Sequence, residues 1–538
     1  MFTIKMTTGS CDSYVHDILD MSEPPESTEK SEIISFFDQA NILVTGGTGF
    51  LGKLLVEKLL RCCPNISKLY LVVRPKKEKS SSERIKENFD DIIYDRLKKE
   101  QPNFLSKVVL VEGDGSKPEY GWSPEIKQML MNTNIVFNVA ALVRFEAKLR
   151  VITAINVQTA KFLLTFVKQI PSFKAFVHIS TAYAHCIRDF IDEKHYSYTI
   201  DADKLVSLMD ILDDDMITRT TPILLDKWPN TYVFTKAIGE NAVLKYSNDL
   251  PVCIVRPSIV TSTYTEPISG WTNNLYGATG VVLGAGLGLL HTLHCRKEKV
   301  ADIIPADYVV ATIISAAWDV GTRKRPIKAS PDSIIPDEEK VPIYNSISSC
   351  QNPITWGEFM KKNENYAFEV PSKRVVWYYA FILNSYLFMH NICVFLFHLV
   401  PAVIVDTAAY LIGRKPILMD AYRKIHKFSN VIHYFSTREW NFRNENVLKL
   451  WNKMNSVDRK NFFFDIGELD WDAYFYIHVR GLRVFMLNDP LDNLDESRAA
   501  YSRLRKIHYT LLTSIILLSL WILFSFISYL WSFCPLAH

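Results

Sequence analysis

Between residues 40 and 267, short apolar runs alternate with longer helix-like runs. The short runs are rich in Val and Ile, which is typical of strands that are buried on both faces of a sheet. Regular alternation of the two kinds of run predicts an α/β fold, a doubly wound parallel sheet with crossover helices. The predicted strands span residues 41–45, 68–73, 107–112, 135–139, 175–180 and 252–257.

The alternation breaks between residues 185 and 227, where the sequence is polar and includes three consecutive acids at 213–215. We interpret this stretch as an insertion beside the site, a solvated face or a lid, and not as part of the core. Residues 323–339 are rich in Pro, Ser and charge, which indicates a surface connection. A second, mainly helical unit is predicted to begin near Pro371.

Residues 511–531 contain no Asp, Glu, Lys or Arg. A helix of this length covers about 30 Å, the thickness of a hydrocarbon core. Basic residues precede it and none follows it, so the positive-inside rule places the upstream chain in the cytosol. A buried soluble helix is the alternative, but the terminal position and the Trp and Tyr residues at the far end favour a membrane anchor.

A second uncharged stretch, residues 375–405, is flanked by basic residues at both ends: Lys373 and Arg374 before it, Arg414 and Lys415 after it. A simple membrane crossing would carry one of these basic pairs to the wrong side. A hairpin, an interfacial helix or an apolar wall for a lipid substrate is therefore favoured over a crossing.

These patterns divide the chain into five parts, with the first lacking the apolar core of a secretory signal. The parts are a flexible N-terminal segment (1–35), a dinucleotide-binding domain with a substrate subdomain (36–370), a helical C-terminal domain (371–490), a basic linker (491–508) and a transmembrane anchor (509–532).

Charge and cysteine content exclude two classes of function. Lys and Arg number 61 against 58 acids, and a net charge of +3 is not the footprint of a nucleic-acid-binding protein. The nine cysteines include no C-x-x-C pair, so no metal or redox site is predicted and a reducing compartment is favoured.

A glycine-rich loop directly follows the first predicted strand, with glycines spaced T-G-x-x-G-x-x-G and a helical run after them. The first glycine allows a tight turn, the second lets the backbone approach a pyrophosphate, and the third packs helix against strand. Placed between a strand and a helix, the loop predicts a Rossmann sheet that binds a dinucleotide. The predicted contacts are Thr45, Gly46, Gly47, Thr48, Gly49, Phe50, Leu51 and Gly52.

The second predicted strand is followed by Arg74, Pro75, Lys76 and Lys77, where NAD enzymes carry an acid for the ribose hydroxyl. A cationic cluster there would pair with a 2′-phosphate, which favours NADPH over NADH. The alternative, solvated charges at a strand end, fits the two lysines better than Arg74. Asp114, Asn138 and Ala140 follow the third and fourth strands and are predicted cofactor contacts by position alone.

Candidate catalytic side chains follow the fifth strand and the polar stretch. Tyr232 and Lys236 lie at i and i+4, on one face of a helix, so that an ammonium can lie near a phenol. The cation and an oxidised nicotinamide would favour the phenolate, which makes Tyr232 a usable acid or base for a carbonyl oxygen. Thr181, assisted by Ser180, would stabilise the developing oxyanion.

Taken together, these motifs resemble the extended short-chain dehydrogenase/reductases, and more closely the fatty acyl-CoA reductases. The resemblance rests on the glycine loop and on Tyr-Val-Phe-Thr-Lys-Ala at 232–237, and it covers nearly all of residues 31–487. Further matches are Val-Arg-Pro-Ser-Ile-Val at 255–260, which adds Pro257, Ser258 and Ile259 as cofactor contacts, and Asp-Ile-Ile-Pro-Ala-Asp at 302–307. Residues 411–416 and 422–425 resemble the male-sterility-type domain that such reductases carry at the C-terminus.

The resemblance implies reduction of a long-chain acyl-CoA to a primary alcohol with two NADPH, by an enzyme attached to the bilayer through its C-terminal helix. It carries over the glycine loop, Tyr232 and Lys236, whereas the long gap between Thr181 and Tyr232 departs from many superfamily members. The endoplasmic reticulum is the favoured location and the peroxisome the alternative, since a tail helix serves either. No oligomeric state is implied.

Two other functions remain open on sequence grounds. A membrane-bound hydroxysteroid dehydrogenase or epimerase of the same superfamily would share every cofactor and catalytic residue, so only the C-terminal unit and a product assay separate it. A non-catalytic, membrane-tethered lipid-binding scaffold is the second alternative, and the intact Tyr232 and Lys236 argue against it.

Overall fold

A computed structural model of the chain describes residues 29–75, 80–324 and 336–532. Most of the predicted N-terminal segment, the two lysines at 76 and 77, and part of the surface connection lie outside these described residues. From residue 32 the chain already belongs to the folded body, because helix α1 (Glu32–Phe37) buries Ile33 and Phe37 in the main apolar core.

A seven-stranded, wholly parallel sheet forms the centre of the molecule and confirms the predicted fold class. Its spatial order is β7-β6-β5-β4-β1-β2-β3. All six predicted strands are present with ends within one residue of the prediction, and the seventh was not predicted. In chain order the strands are β1 Asn41–Thr45, β2 Lys68–Val73, β3 Val108–Glu112, β4 Ile135–Asn138, β5 Ala175–Ile179, β6 Val252–Pro257 and β7 Ile343–Ser346.

Helices cover the two faces of the sheet and build the C-terminal unit. The helices after α1 are α2 Phe50–Cys62, α3 Ser81–Phe89, α4 Asp95–Glu100, α5 Pro124–Leu130, α6 Leu149–Thr153, α7 Thr159–Val167, α8 Ala202–Ile211, α9 Asp214–Leu225, α10 Thr231–Ser247, α11 Ala278–Gly286, α12 Ala306–Thr322, α13 Asp337–Lys340, α14 Trp356–Glu369, α15 Leu387–Val394, α16 Val400–Leu411, α17 Leu418–Ser436, α18 Glu445–Lys453, α19 Ser456–Asn461, α20 Trp471–Gly481 and α21 Leu494–Ser532. Short strands pair outside the main sheet: Ile259–Thr261 with Ile303–Pro305, Thr292–His294 with Ile382–Asn384, and Phe190–Ile191 with Asn441–Phe442.

The strand order reverses between β1 and β4, and this reversal positions the site. In an open parallel sheet, a crevice forms beyond the carboxyl ends of the two strands where the order reverses. The Thr45 hydroxyl ties the two ends together, because it donates to Asn138 Oδ1 (2.9 Å) and accepts from the backbone N–H of Ala140 (3.1 Å). The glycine loop therefore opens directly onto this crevice.

The stretch from 185 to 227 is only partly the solvated insertion that the sequence suggested. Helix α9 is mostly exposed, with the Asp213 carboxylate capping it at the backbone N–H of Met216 (2.8 Å), whereas α8 buries Ala202, Leu205 and Met209. The beginning of the stretch is core: His185 and Glu193 are buried. Glu193 accepts hydrogen bonds from the backbone N–H groups of Asn345 and Asn446, so it ties this stretch both to β7 and to the C-terminal unit.

Two helices have the length and apolar character to cross a membrane among the residues that the structure describes. The first is the continuous helix Leu387–Leu411, which combines α15 and α16 through one π turn. The second is α21, which spans most of the predicted basic linker and the predicted anchor as one helix, with exposed side chains from residue 509 to residue 531.

Candidate active site

A cavity of about 760 Å³ lies beyond the carboxyl ends of β1, β4, β5 and β6 and extends into the C-terminal unit. Every site residue that the sequence predicted lines this cavity except Gly47 and Asn138. Those two lie directly beneath it: a Cβ on Gly47 would meet the Leu71 side chain at 2.1 Å, and Asn138 is the buried partner of the Thr45 hydroxyl.

The glycine loop is packed so closely that side chains are excluded at two positions. Gly46 has a φ of +72°, and a Cβ there would lie 2.7 Å from the backbone nitrogen of Ala140. At Gly52 a Cβ would lie 2.1 Å from the carbonyl oxygen of Gly46. Helix α2 begins at Phe50, so its unpaired N–H groups and the positive end of its dipole face the cavity and suit a pyrophosphate.

Two arginines lie together at the outer end of the cavity, and the sequence predicted only one of them. Arg74 is exposed just past β2, and the guanidinium of Arg84, on α3, donates to the Arg74 carbonyl. Burial and the Arg74 charge lower the pKa of Arg84. Nearby, Asp114 accepts from the backbone N–H (3.0 Å) and the hydroxyl (2.8 Å) of Ser116. Nothing in the local sequence marks Arg84, because it reaches the site only through helix packing.

Tyr232 and Lys236 lie on one face of α10, as predicted, and both line the cavity. The Asn230 side chain begins this helix by accepting from the backbone N–H of Val233 (3.0 Å). The Lys236 ammonium donates to the carbonyl of Ile179 at the end of β5 (2.6 Å), which fixes its height above the sheet. Burial lowers the pKa of Lys236 to about 8, against the opposing influence of Glu240.

The environment of Tyr232 differs from the expected one. The nearby cation was expected to favour the phenolate, yet burial raises the pKa of Tyr232 above its usual value. The Phe145 ring, 5.7 Å away between centroids, contributes to this apolar surrounding. Tyr232 is therefore a protonated acid, the state that carbonyl reduction requires.

The two hydroxyls after β5 have different surroundings. Ser180 Oγ donates to Glu240 Oε1 (2.5 Å), so its proton is directed away from the cavity centre. Thr181 Oγ1 makes only long contacts, 3.5 Å to the Pro257 carbonyl and 3.3 Å from the backbone N–H of Tyr183. The Thr181 hydroxyl can therefore donate a hydrogen bond to an oxyanion, whereas the Ser180 hydroxyl donates to Glu240.

A buried hydrogen-bond network that sequence reasoning missed is centred on Glu240, one turn after Lys236 on α10. Glu240 accepts from Arg256 Nε (2.9 Å) and Nη2 (2.6 Å) and pairs with His185 Nε2 (2.8 Å). Although burial acts to raise it, Arg256 and His185 hold the pKa of Glu240 well below its usual range. Tyr232, Lys236 and Glu240 stand at i, i+4 and i+8, so helical periodicity was the signal that could have found Glu240.

The part of the cavity that extends into the C-terminal unit has a mainly apolar wall, in which the Cys295 thiol is the ionisable group among the described residues. We call this part the apolar arm, and it is built mainly by α11, α14, α17 and the short strand at 292–294. Cys295 lies in its wall, where burial raises the pKa of the thiol to about 12 and keeps it neutral. The wall of the apolar arm includes Val281, Leu293, Cys295, Trp356, Phe359, Met360, Leu383, Ile432 and Phe435.

Comparison with protein families gives two matches, both described as "Male sterility protein": an NAD-binding model over residues 44–313 and a second model over residues 397–489. "Fatty acyl-CoA reductase wat" of Drosophila melanogaster is 37% identical over 498 residues, which cover 92% of this chain and 94% of that protein. "Fatty acyl-CoA reductase 1" of Rattus norvegicus is 34% identical over 497 residues, covering 91% and 93%.

Solved structures of reductase domains share the fold. The reductase domain of a nonribosomal peptide synthetase from Mycobacterium tuberculosis superposes with a TM-score of 0.52 at 17% identity, over 85% of this chain and 97% of that one. The terminal reductase domain of the myxalamid biosynthetic pathway gives 0.50 at 18% identity, over 83% and 91%. At these identities the likeness concerns the fold alone.

Proposed function

Because the chain belongs to the fatty acyl-CoA reductase family, we propose that it reduces long-chain acyl-CoA to a primary alcohol with NADPH and releases coenzyme A. The observation that carries this proposal is one continuous cavity that joins a pyrophosphate-binding loop, a Tyr–Lys pair and an uncharged apolar arm. A thioester placed between loop and arm would have its carbonyl beside Tyr232 and its acyl chain in the apolar arm.

The match to an NAD-binding family supports a nicotinamide cofactor, and the residues present fit one. The absent Cβ atoms at Gly46 and Gly52 allow the tight turn and the close packing of the loop, and Gly49 between them would let the backbone approach a pyrophosphate. Lys236 would bind the ribose next to the nicotinamide, and Arg74 with Arg84 would bind a 2′-phosphate. Bound NADPH supplies hydride, and the full reduction consumes two NADPH and two protons per thioester.

The protein's own residues contribute proton transfer and charge stabilisation. In each of the two reductions Tyr232 donates its phenolic proton to the substrate oxygen, and the Thr181 hydroxyl donates a hydrogen bond to that oxygen as its charge grows. After the first reduction the C–S bond breaks, the C=O bond re-forms as the oxygen gives up its proton, and coenzyme A leaves as the thiol. The Lys236 ammonium, held by the Ile179 carbonyl, stabilises the phenolate that Tyr232 becomes. The Glu240 network keeps α10 and the end of β5 in fixed relation while this occurs.

The apolar arm suits a fatty acyl chain, because each methylene transferred from water contributes about 0.8 kcal/mol. We further propose that α21 anchors the enzyme in a bilayer with the catalytic domain in the cytosol, in the endoplasmic reticulum or the peroxisome. Its exposed apolar length supports this. Long-chain substrates and alcohol products both partition into membranes, so an anchored enzyme meets them there.

The substrate proposal is tested with purified protein, palmitoyl-CoA, and NADPH or NADH, followed by mass spectrometry of the products. We expect hexadecanol, free coenzyme A, and faster turnover with NADPH. Absence of cofactor oxidation with every acyl-CoA tried, or oxidation of a hydroxysteroid instead, would contradict the proposal.

Cofactor preference depends on the two arginines. In Arg84→Ala we expect the Kd for NADPH to rise by a factor of about 10 or more, since a charge-assisted contact to phosphate contributes about 1.5–3 kcal/mol. The Kd for NADH should change little, because NADH lacks the 2′-phosphate. Quenching of protein fluorescence measures both constants. As a matched control, Arg96→Ala removes an arginine whose partners, Glu100 and Glu266, lie outside the cavity, and it should leave both constants unchanged.

The pH profile should report Lys236. Its pKa in the folded protein is about 8, well below the model-peptide value, so the side chain is cationic below about pH 8 and neutral above it. We therefore expect kcat/KM for NADPH to fall as pH rises through about 8. The measurement is a steady-state profile from about pH 6 to about pH 10. In Lys236→Met the rate should be low and the descending limb absent; a limb that persists in this variant would assign the titration to another group.

A further inference from the structure

The helix Leu387–Leu411 presents a long apolar face that the folded body does not cover. Among its most exposed side chains are Phe388 and Leu411, with 73% and 77% of their surfaces accessible. The aliphatic and aromatic side chains that share this face are Leu387, Phe388, Met389, Ile392, Phe395, Leu396, Phe397, Val400, Val403, Ile404, Val405, Tyr410 and Leu411. A face of this length on a soluble surface would be an aggregation hazard, so a partner must cover it.

The opposite face of the same helix is hydrogen-bonded to the catalytic domain at two levels. His390 Nδ1 lies 3.0 Å from Thr292 Oγ1, and the backbone N–H of His291 donates to His398 Nε2 (2.9 Å). The two histidines are eight residues apart, about 12 Å along the axis. The helix therefore runs alongside the folded body for more than two turns, and passage through a bilayer would break both contacts.

The chain returns to the folded body directly after this helix. The Asp406 carboxylate accepts from the backbone N–H groups of Ile417, Leu418 and Met419 (3.0, 3.0 and 2.8 Å), which closes the turn into α17. Helix α17 then packs back onto the cavity and ends with the Ser436 hydroxyl donating to the carbonyl of His294 (2.8 Å). Arg414 and Lys415 lie in the closed turn, between a helix that is hydrogen-bonded to the catalytic domain and α17, which returns to it.

An aromatic cluster joins the approach to this helix with the point where α21 becomes apolar. Trp377 Nε1 donates to His508 Nδ1 (3.0 Å), and the Tyr378 and Tyr509 rings lie 5.7 Å apart. Aromatic side chains with a polar tip concentrate at the level of the lipid headgroups. Since the uncharged part of α21 begins at Leu511, the cluster places residues 377–379 at the membrane surface where that helix enters.

We propose that Leu387–Leu411 is an interfacial helix that lies in the cytosolic leaflet of the membrane that holds α21. Its exposed apolar face contacts acyl chains, and Arg414 and Lys415 contact anionic headgroups. The proposal rests on the proposed anchor and extends it to a second, non-crossing contact. The strand at 292–294 contacts this helix through Thr292 and lines the apolar arm through Leu293. This strand would therefore lie between the bilayer surface and the apolar arm.

Glycosylation mapping of the full-length chain in microsomes tests the topology. An acceptor in a flexible insert between Gly413 and Arg414 should remain unglycosylated, whereas an acceptor appended after His538 should be glycosylated. Glycosylation in the 413–414 insert would mean a crossing and would overturn the inference. If the appended acceptor is the one that stays unmodified, the anchor of the proposed function has failed, which is a separate result.

Lipid contact is tested with the full-length protein in phosphatidylcholine vesicles that contain phosphatidylserine. A fluorescent amino acid at Phe395 should be quenched by brominated acyl chains. The control is the same label at Ile223, which is 77% exposed on α9 and carries no predicted membrane contact. Absence of quenching at position 395 would overturn the inference, whether the face is then covered by a second copy or by water.

Discussion

Replacement of Tyr232 by phenylalanine should lower kcat by a factor of about 10²–10⁴, the usual contribution of a positioned general acid. The variant keeps the ring and its edge-to-face contact with Phe145, and it loses only the hydroxyl proton that the substrate oxygen needs. Because no described residue accepts a hydrogen bond from this hydroxyl, the change should not unfold the protein. NADPH binding by fluorescence and alcohol formation by mass spectrometry measure the two quantities separately.

Tyr308→Phe is the matched control for Tyr232→Phe. Tyr308 is buried on α12, outside the cavity, so the same atom is removed from a phenol that faces the core. We expect kcat to stay within a factor of about two of the unmodified enzyme, since only a small change in stability is involved. Equal activity of the two variants would remove Tyr232 from the reaction.

Gly52→Ala should abolish cofactor binding at ordinary NADPH concentrations. The new methyl group would lie 2.1 Å from the carbonyl oxygen of Gly46 and 2.7 Å from Cα of Gly47, and both contacts are backbone. No side chain can rotate to make room, so the loop itself must move away from α2 and lose the geometry that binds a pyrophosphate. We expect the Kd for NADPH to rise at least about 100-fold, with a loss of about 1–3 kcal/mol in the free energy of unfolding from overpacking.

Gly286→Ala separates this local effect from the general cost of replacing a glycine. Gly286 lies at the end of α11, and a Cβ there would meet nothing within 4 Å. The substitution should leave the NADPH Kd unchanged and stabilise the helix by up to about 1 kcal/mol. Calorimetric titration with NADPH and thermal unfolding measure both quantities. Normal NADPH affinity in Gly52→Ala would show that the loop does not hold the cofactor.

The sheet shows how much of the fold can be predicted from the local sequence pattern. Six strands were predicted with ends within one residue because each is a short, mainly apolar run that is rich in Val or Ile. β7 escaped prediction because it reads Ile-Tyr-Asn-Ser. Its polar residues tolerate burial through partners remote in the chain: Asn345 donates its backbone N–H to Glu193 and its side-chain amide to the Arg443 carbonyl (2.7 Å).

The residues of the site also fall into those that local spacing predicted and those that it missed. The glycine loop, the Tyr232–Lys236 pair and Thr181 were found because spacing within one turn or one helix carries their geometry. Arg84 and Glu240 were missed, and so was the hydrogen bond from the Ser180 hydroxyl to Glu240, 60 residues away. The mainly helical C-terminal unit was predicted, but its contribution of Ile432 and Phe435 to the apolar arm was not.

By itself, the sequence determined the strands, the glycine loop, the spacing of Tyr232 and Lys236 and the two apolar helices, because periodicity and spacing are properties of neighbouring residues. Only the tertiary structure decided which hydroxyl faces the cavity, which cations meet beside Arg74, and that Leu387–Leu411 is bound along the catalytic domain. These outcomes depend on hydrogen bonds between residues that lie 10 to 107 positions apart. No local pattern encodes such partners, since each is selected by the packing of the whole chain.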